Sequence, residues 1–267
     1  KTKLNQAFGD RKTATVIEVL AHEDEDIRAY AEYLFANDYA PYTAKQWGVS
    51  PSEIDPSVLK RVPLRFSYDE GYFDDAYQVM PKHSFTTYFE NLLDHPNIHV
   101  TLGIEALEDL CIRDNILTID GHATNQTVIY TGALDELFDY QYGRLPYRSL
   151  RFEWKYTEAD SVQNAPVVAY PQEDGYTRIT EYKKLPLQSG KGSSYALEYP
   201  LAYAPNTGAE PYYPVLTEQS KQQYAKYKAL ADEIPKLICC GRLADFKYYN
   251  MDQALERALE CSTRLGQ

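Results

Sequence analysis

A mixed α and β fold is what this sequence predicts, and three observations predict it. Apolar residues recur at helical spacing in residues 24–36 and 84–94. From about residue 147 the spacing shortens to two, the period of a half-buried strand. Near the end, the apolar run Leu237 to Cys240 meets Gly241-Arg242 and then a last helical stretch.

Along the chain, residues 1–58 look largely helical. Asp24 to Ala36 puts Ile27, Ala31 and Leu34 on one helical face. Ser50-Pro51-Ser52-Glu53 reads as a capping box with Pro at the first helical position, and Asp55-Pro56 opens a further short helix in the same way. Residues 62–76 look extended and loop-like. Ser84 to Asp94 is the clearest helix, because Phe85, Tyr88, Phe89, Leu92 and Leu93 fall at i, i+3, i+4, i+7 and i+8. Pro96 closes it. Ile98–Leu102, Ile116–Ile119 and Thr127–Tyr130 read as short strands. Leu150, Phe152 and Trp154 then alternate with Arg151, Glu153 and Lys155. Val167–Tyr170, Arg178–Tyr182 and Tyr195–Tyr199 follow between Pro, Gly and Ser turns, which predicts an antiparallel meander. Glu218–Glu233 is an amphipathic helix through Tyr224, Tyr227 and Leu230. Lys236–Cys240 is a strand and Met251–Leu265 the final helix.

The 267 residues allow one large domain or two modest ones, and a hydrophobic share of 44% allows a sizeable core. A net charge of −12 argues against nucleic acid and against anionic membrane surfaces as partners. An anionic ligand would have to be held by local arginines. No apolar run approaches the ~20 residues of a membrane span. Cys111, Cys239, Cys240 and Cys261 form no Cys-x-x-Cys pair and suit a reducing cytoplasm. Only His95 and His99 lie close together among the histidines, across a turn, so no zinc site is expected.

The chain carries 25 Tyr against 9 Phe, and many of these tyrosines neighbour Arg or Lys, as in Tyr42 with Lys45 and Tyr176 with Arg178. A phenol adds a hydrogen-bonding hydroxyl to an aromatic face, and a guanidinium adds a planar fork that fits phosphate oxygens. Together they suit a ligand with a stackable ring and a diphosphate, such as a nucleotide sugar. The same tyrosines also fit half-buried strands. The Leu237–Leu243 stretch adds strand, Gly and Arg ahead of a helix whose N-terminus offers N–H groups to an anion, with Asn250 as its N-cap.

A series of segments in fixed order makes the reading sharper. They are Tyr42-Thr43-Ala44-Lys45-Gln46-Trp47-Gly48, Leu59-Lys60-Arg61-Val62-Pro63-Leu64-Arg65, Tyr72-Phe73-Asp74-Asp75, Val128-Ile129-Tyr130-Thr131-Gly132 and Tyr140-Gln141-Tyr142-Gly143-Arg144-Leu145. Tyr176-Thr177-Arg178-Ile179-Thr180-Glu181, Glu210-Pro211-Tyr212-Tyr213-Pro214 and Gly241 through Met251 complete them. In these segments the chain resembles the UDP-galactopyranose mutase family over nearly its whole length. Members of that family interconvert UDP-galactopyranose and UDP-galactofuranose through a flavin–sugar adduct on reduced FAD, a step in cell-wall polysaccharide synthesis. The resemblance therefore implies an isomerase, a flavoprotein, UDP-galactose as partner and a cytoplasmic location.

Residue by residue, the resemblance implies that Tyr42 packs on uridine and that Trp47 lies near the sugar and a mobile loop. Arg61 resembles the loop arginine that closes onto the diphosphate, and Arg178 its fixed counterpart. Tyr72, Tyr213 and Tyr248 resemble phenols that bind the diphosphate, with Tyr212 as an alternative to Tyr213. Gly241, Arg242, Asn250 and Met251 would lie beside the flavin. Simpler roles stay open: Trp47 as core, Tyr72 as a strand aromatic, Arg61 as a solvated loop charge and Arg178 as a surface residue.

Two departures stand out. The family usually has Asp where this chain has Asn250. None of the 13 glycines forms the Gly-x-Gly-x-x-Gly turn that holds the FAD pyrophosphate; Gly190-Lys191-Gly192 comes nearest. The expectation is a mutase lacking its N-terminal part. Residues 1–58 would be part of a helical substrate domain, and 59–76 with 138–216 an antiparallel sheet domain bearing the mobile loop. Residues 77–137 and 217–267 would be later pieces of a discontinuous FAD-binding α/β domain. Those pieces would expose strand edges and apolar faces, bind FAD weakly or not at all, and favour association as a homo-oligomer. The alternative is a non-catalytic UDP-sugar-binding remnant; a flavoprotein of the amine-oxidase type is a third reading.

Overall fold

The computed structural model describes residues 1–53, 55–60, 62–68, 75–205 and 207–265. The N-terminal part is helical: α1 (Thr2–Phe8), α2 (Val16–Leu20), α3 (Glu25–Leu34), a π-helical turn (Phe35–Tyr39), α4 (Ala40–Trp47) and α5 (Pro56–Lys60). Two short strands, β1 (Thr13–Ala14) and β2 (Leu64–Arg65), pair antiparallel and tie its ends together. Local chemistry sets these boundaries. Thr15 and Glu18 form a capping box on α2, and the Asp24 carboxylate accepts from the backbone N–H groups of Asp26 and Ile27 to start α3. Leu4, Ala14, Val19, Ile27, Ala31 and Phe66 make the small core beneath. The predicted capping box at Ser50 starts a turn rather than a helix. Its reciprocal bond forms, from the Ser50 N–H to Glu53 Oε2 at 3.1 Å, but residues 51–53 are not helical.

The middle of the chain holds α6 (Phe85–Leu93), α7 (Ala106–Asp109), β3 (Leu110–Arg113), β4 (Ile116–Ile119), β5 (His122–Ala123), β6 (Val128–Tyr130) and α8 (Leu134–Leu137). Ser84 caps α6 through the Thr87 N–H, as its sequence suggests. Strands β3, β4 and β5 form a small antiparallel sheet. Asp114 and Asn115 join β3 to β4 with φ of 50° and 60°, the positive pair that a type I′ hairpin needs. Ile98–Leu102, expected as a strand, is not one: no strand among the described residues pairs with it, and an unpaired strand gains no ladder bonds.

The sheet that follows contains β7 (Tyr147–Thr157), β8 (Val167–Ala169), β9 (Arg178–Glu181), β10 (Ser193–Ala202) and β11 (Tyr213–Pro214). Its spatial order is β11-β7-β10-β9-β8, antiparallel throughout. The predicted meander holds only for β8, β9 and β10. The long strand β7 pairs with β10 instead of β8, over residues 148–157. The chain ends with α9 (Glu218–Glu233), β12 (Leu237–Cys239) and α10 (Met251–Leu265), and β12 pairs parallel with β6. The main core lies between these pieces, with Leu134, Leu137, Tyr147, Tyr227, Ala231 and Phe246 buried together.

Candidate functional site

Strand register decides which side chains meet. Arg148 lies opposite Tyr213, Phe152 opposite Glu198, and Glu198 opposite Arg178. Since alternate residues share a face, Tyr213, Leu150, Phe152, Glu198, Arg178 and Thr180 all project from one side of the sheet. There the Arg178 Nε–H donates to Glu198 Oε2 at 2.6 Å, and the Thr180 hydroxyl donates to Glu198 Oε1 at 2.9 Å. The Glu198 side chain is 5% exposed and that of Arg178 34%. Burial works against the Arg178 charge, yet Glu198, with Tyr42 and Tyr213 nearby, raises its pKa above the ordinary arginine value. Arg178 is thus a fixed, permanently charged fork that still reaches solvent.

Next to it lies an aromatic cluster. The Trp47 ring meets Tyr213 at 5.9 Å and Tyr248 at 5.4 Å edge-on, and Tyr213 meets Tyr248 at 5.0 Å. The Arg242 guanidinium sits over both phenols, 5.3 Å from the Tyr213 ring centre and 5.0 Å from that of Tyr248. Its Nη1 donates to the Tyr212 carbonyl at 3.0 Å and its Nη2 to the Tyr249 carbonyl. Trp47 is buried with Val58, Tyr213 and Val215, so packing accounts for most of its surface. Tyr212 lies at the edge of the same cluster, 6.1 Å from Tyr213. Arg61 and Tyr72 fall outside the described residues.

Three residues outside the proposed set hold this arrangement together. Lys45 Nζ donates to the carbonyls of Tyr170, Glu173 and Tyr176 at 2.6, 2.7 and 3.0 Å, clamping the loop that leads into Arg178. Burial lowers its pKa. Arg148 Nε donates to the Gln46 carbonyl at 2.9 Å and Nη2 to that of Lys45 at 3.1 Å, capping the C-terminus of α4. Glu198 orients Arg178. Lys45 and Gln46 stood inside a quoted motif, but no local pattern links Glu198 to Arg178, twenty residues apart on neighbouring strands.

The residues expected beside the flavin carry a different chemistry. Gly241 has a φ of 104° and its N–H donates to Asp245 Oδ2 at 3.1 Å. Asp245 also accepts from Arg257 Nε at 2.9 Å and from the Tyr249 hydroxyl at 3.2 Å. The Asn250 N–H donates to Gln253 Oε1 at 2.9 Å, and Met251 opens α10 with its side chain exposed. The Gly241 and Asn250 N–H groups are already paired, so neither is a free donor for a phosphate of FAD. Without a Gly-x-Gly-x-x-Gly turn, these residues do not by themselves make the pyrophosphate cradle of FAD.

Comparisons with known proteins bear on the family and the fold. The profile of the UDP-galactopyranose mutase family matches residues 37–248. A dTDP-fucopyranose mutase of Escherichia coli is 35% identical over 98% of this chain and 68% of its own length. A probable UDP-galactopyranose mutase of Klebsiella pneumoniae is 36% identical over 95% of this chain and 63% of its own. The UDP-galactopyranose mutase of Mycoplasma pneumoniae is 34% identical over 98% and 67%. The chain thus spans about two thirds of the length of these relatives. A crystal structure of reduced UDP-galactopyranose mutase shares the fold, with a TM-score of 0.59 at 13% identity, covering 90% of this chain and 68% of that one. The ordered motifs, the profile match across the sheet and its flanking helices, and the shared fold lead to one assignment: the chain belongs to the UDP-galactopyranose mutase family.

Proposed function

We propose that this chain carries the nucleotide-sugar site of a UDP-galactopyranose mutase and binds UDP-galactose. One observation carries the reading: Arg178, held by Glu198, which Thr180 anchors in turn, faces the same side of the sheet as Tyr213, beside the Tyr248–Arg242 cluster. A fixed guanidinium binds a diphosphate, and phenols supply ring faces and hydroxyls. On bond cleavage the same cation would stabilise charge on departing UDP. Tyr42 would pack on uridine, and Arg61 and Tyr72 would complete the diphosphate contacts. FAD, when bound by a whole enzyme, supplies the covalent chemistry at the sugar. The division into a helical substrate part, a sheet part and pieces of an FAD-binding domain belongs to the same proposal, as do a cytoplasmic location and self-association.

A second reading has its own support. The 35% identity to a dTDP-fucopyranose mutase favours a thymidine nucleotide or a 6-deoxy sugar as the ligand. A third, binding without turnover, is supported by the pairing of the Gly241 and Asn250 N–H groups. Calorimetry with UDP-galactose and with dTDP-fucose, plus visible spectra after incubation with FAD and gel filtration, distinguishes them. The proposal expects UDP-galactose to bind at least tenfold more tightly. Tighter binding of dTDP-fucose would establish the second reading. A colourless protein that binds UDP-galactose would support binding without turnover by this chain. Absence of binding by both nucleotides would reject the assignment of the site.

A further inference from the structure

The alternation of Phe152, Trp154 and Tyr156 along β7 is unused by the nucleotide site, although these residues share its face of the sheet. Trp154 is 64% exposed and Tyr156 59%, unusual for large aromatics in the body of a sheet. Trp154 lies opposite Ala196 on β10, and Ala196 lies opposite Thr180 on β9. Because Ala196 is small and fully buried, the Trp154 ring passes over it and stacks on Tyr182, with centroids 5.1 Å apart and planes 26° apart. Phe152 continues the row at 6.1 Å and 31° from Trp154, and meets Tyr212 at 6.4 Å. An aromatic row therefore runs from the edge of the Trp47–Tyr213–Tyr248 cluster to the open part of the sheet. Arg178 and Glu198 stand beside it on the same face.

We propose that Trp154 and Tyr182 form a carbohydrate-binding platform that takes a hexose ring. Stacked on Tyr182, the exposed Trp154 ring turns its outer face to solvent, a flat apolar surface matched to the C–H face of a pyranose. The Arg178 guanidinium and the Tyr182 hydroxyl lie at its margin and can bond ring hydroxyls in the plane of the sugar. A protein partner would need far more surface than three side chains supply, and the net charge of −12 disfavours a polyanion. The platform goes beyond the nucleotide-sugar site and does not rest on it.

Only two tryptophans are present, Trp47 at 5% exposure and Trp154 at 64%, so iodide quenching of fluorescence reports mainly on Trp154. The test titrates the full chain with methyl β-galactopyranoside, with glycerol and uridine as controls. The galactoside is expected to reduce iodide quenching several-fold and glycerol to leave it unchanged. Trp154→Phe should abolish the response, and Tyr182→Ala should weaken the sugar about tenfold, as loss of one stacking ring does. Quenching unaffected by the galactoside, or a response retained in Trp154→Phe, would overturn the proposal. Protection by uridine without protection by galactoside would also overturn it, making the row a base platform. UDP titrated in the same cell tests the nucleotide site separately.

Discussion

Glu198 decides where the charge of Arg178 points. Both of its oxygens are engaged, by Arg178 and by Thr180, and the carboxylate is almost wholly buried. Glu198→Gln keeps the shape and removes the charge, leaving Arg178 free to reorient. UDP affinity measured by calorimetry should fall about tenfold, roughly the worth of one charge-assisted contact. Unchanged affinity would mean that Glu198 does not position Arg178. Elsewhere, Asp135 is buried, with Oδ2 accepting the Leu145 N–H at 2.9 Å and Oδ1 without a hydrogen-bond partner among the described residues. Burial pushes its pKa up to about 6 from 3.8. The folded state then holds a proton that the unfolded state releases, so this group's stabilisation is full below pH 3.8 and is lost as pH rises to about 6. Asp135→Asn should remove that dependence and raise stability at pH 7 by about 1–3 kcal/mol in urea titrations. The sequence named Arg178, Tyr213, Tyr248 and Arg242 because they stand in motifs. It did not name Glu198 or Asp135, whose roles arise from partners brought together by folding.

Elements were legible where their signals are local. Glu218–Glu233 and Met251–Leu265 appear with the bounds that their periodicity and caps predict. Ser84 begins its helix because its side chain satisfies a free N–H in the first turn. Elements that depend on a distant partner were not legible: β7 pairs with β10 across the intervening strands, and Ile98–Leu102 has strand composition without a partner among the described residues. The hairpin between β3 and β4 had a readable signal in Asp114-Asn115. Gly48 shows how an element boundary serves the site. It ends α4 with φ 69°, and a Cβ there would lie 2.7 Å from Arg148 Nη1. Gly48→Ala should therefore cost about 1–3 kcal/mol of stability and displace the guanidinium that caps α4. A denaturation midpoint equal to that of the parent would contradict this.

At the scale of the whole molecule, the expectation of open apolar faces agrees with the structure. Phe85, Tyr88, Phe89, Leu92 and Leu93 of α6 are all exposed, as are Met251, Leu255 and Leu259 along α10. These stripes have the spacing of helices that pack against another surface. The chain should bind a hydrophobic dye such as ANS, and Leu92→Glu with Leu255→Glu should cut that fluorescence without lowering the thermal midpoint. Loss of thermal stability in the double variant would mean that both leucines already pack inside the fold. The two-stranded parallel pair β6–β12 likewise leaves Ile129 exposed. The sheet and helical parts, by contrast, are joined through Lys45, Gln46 and Arg148, and this junction sets Arg178 beside the aromatic cluster. The central claim is that this junction makes a nucleotide-diphosphate site. Calorimetric titration of the chain with UDP, repeated on Arg178→Ala, tests it most directly. The account predicts one UDP per chain and a loss of roughly a hundredfold in affinity in the variant, as removal of a fixed phosphate-binding guanidinium should give. Absence of UDP binding by the parent, or equal binding by Arg178→Ala at unchanged stability, would contradict it.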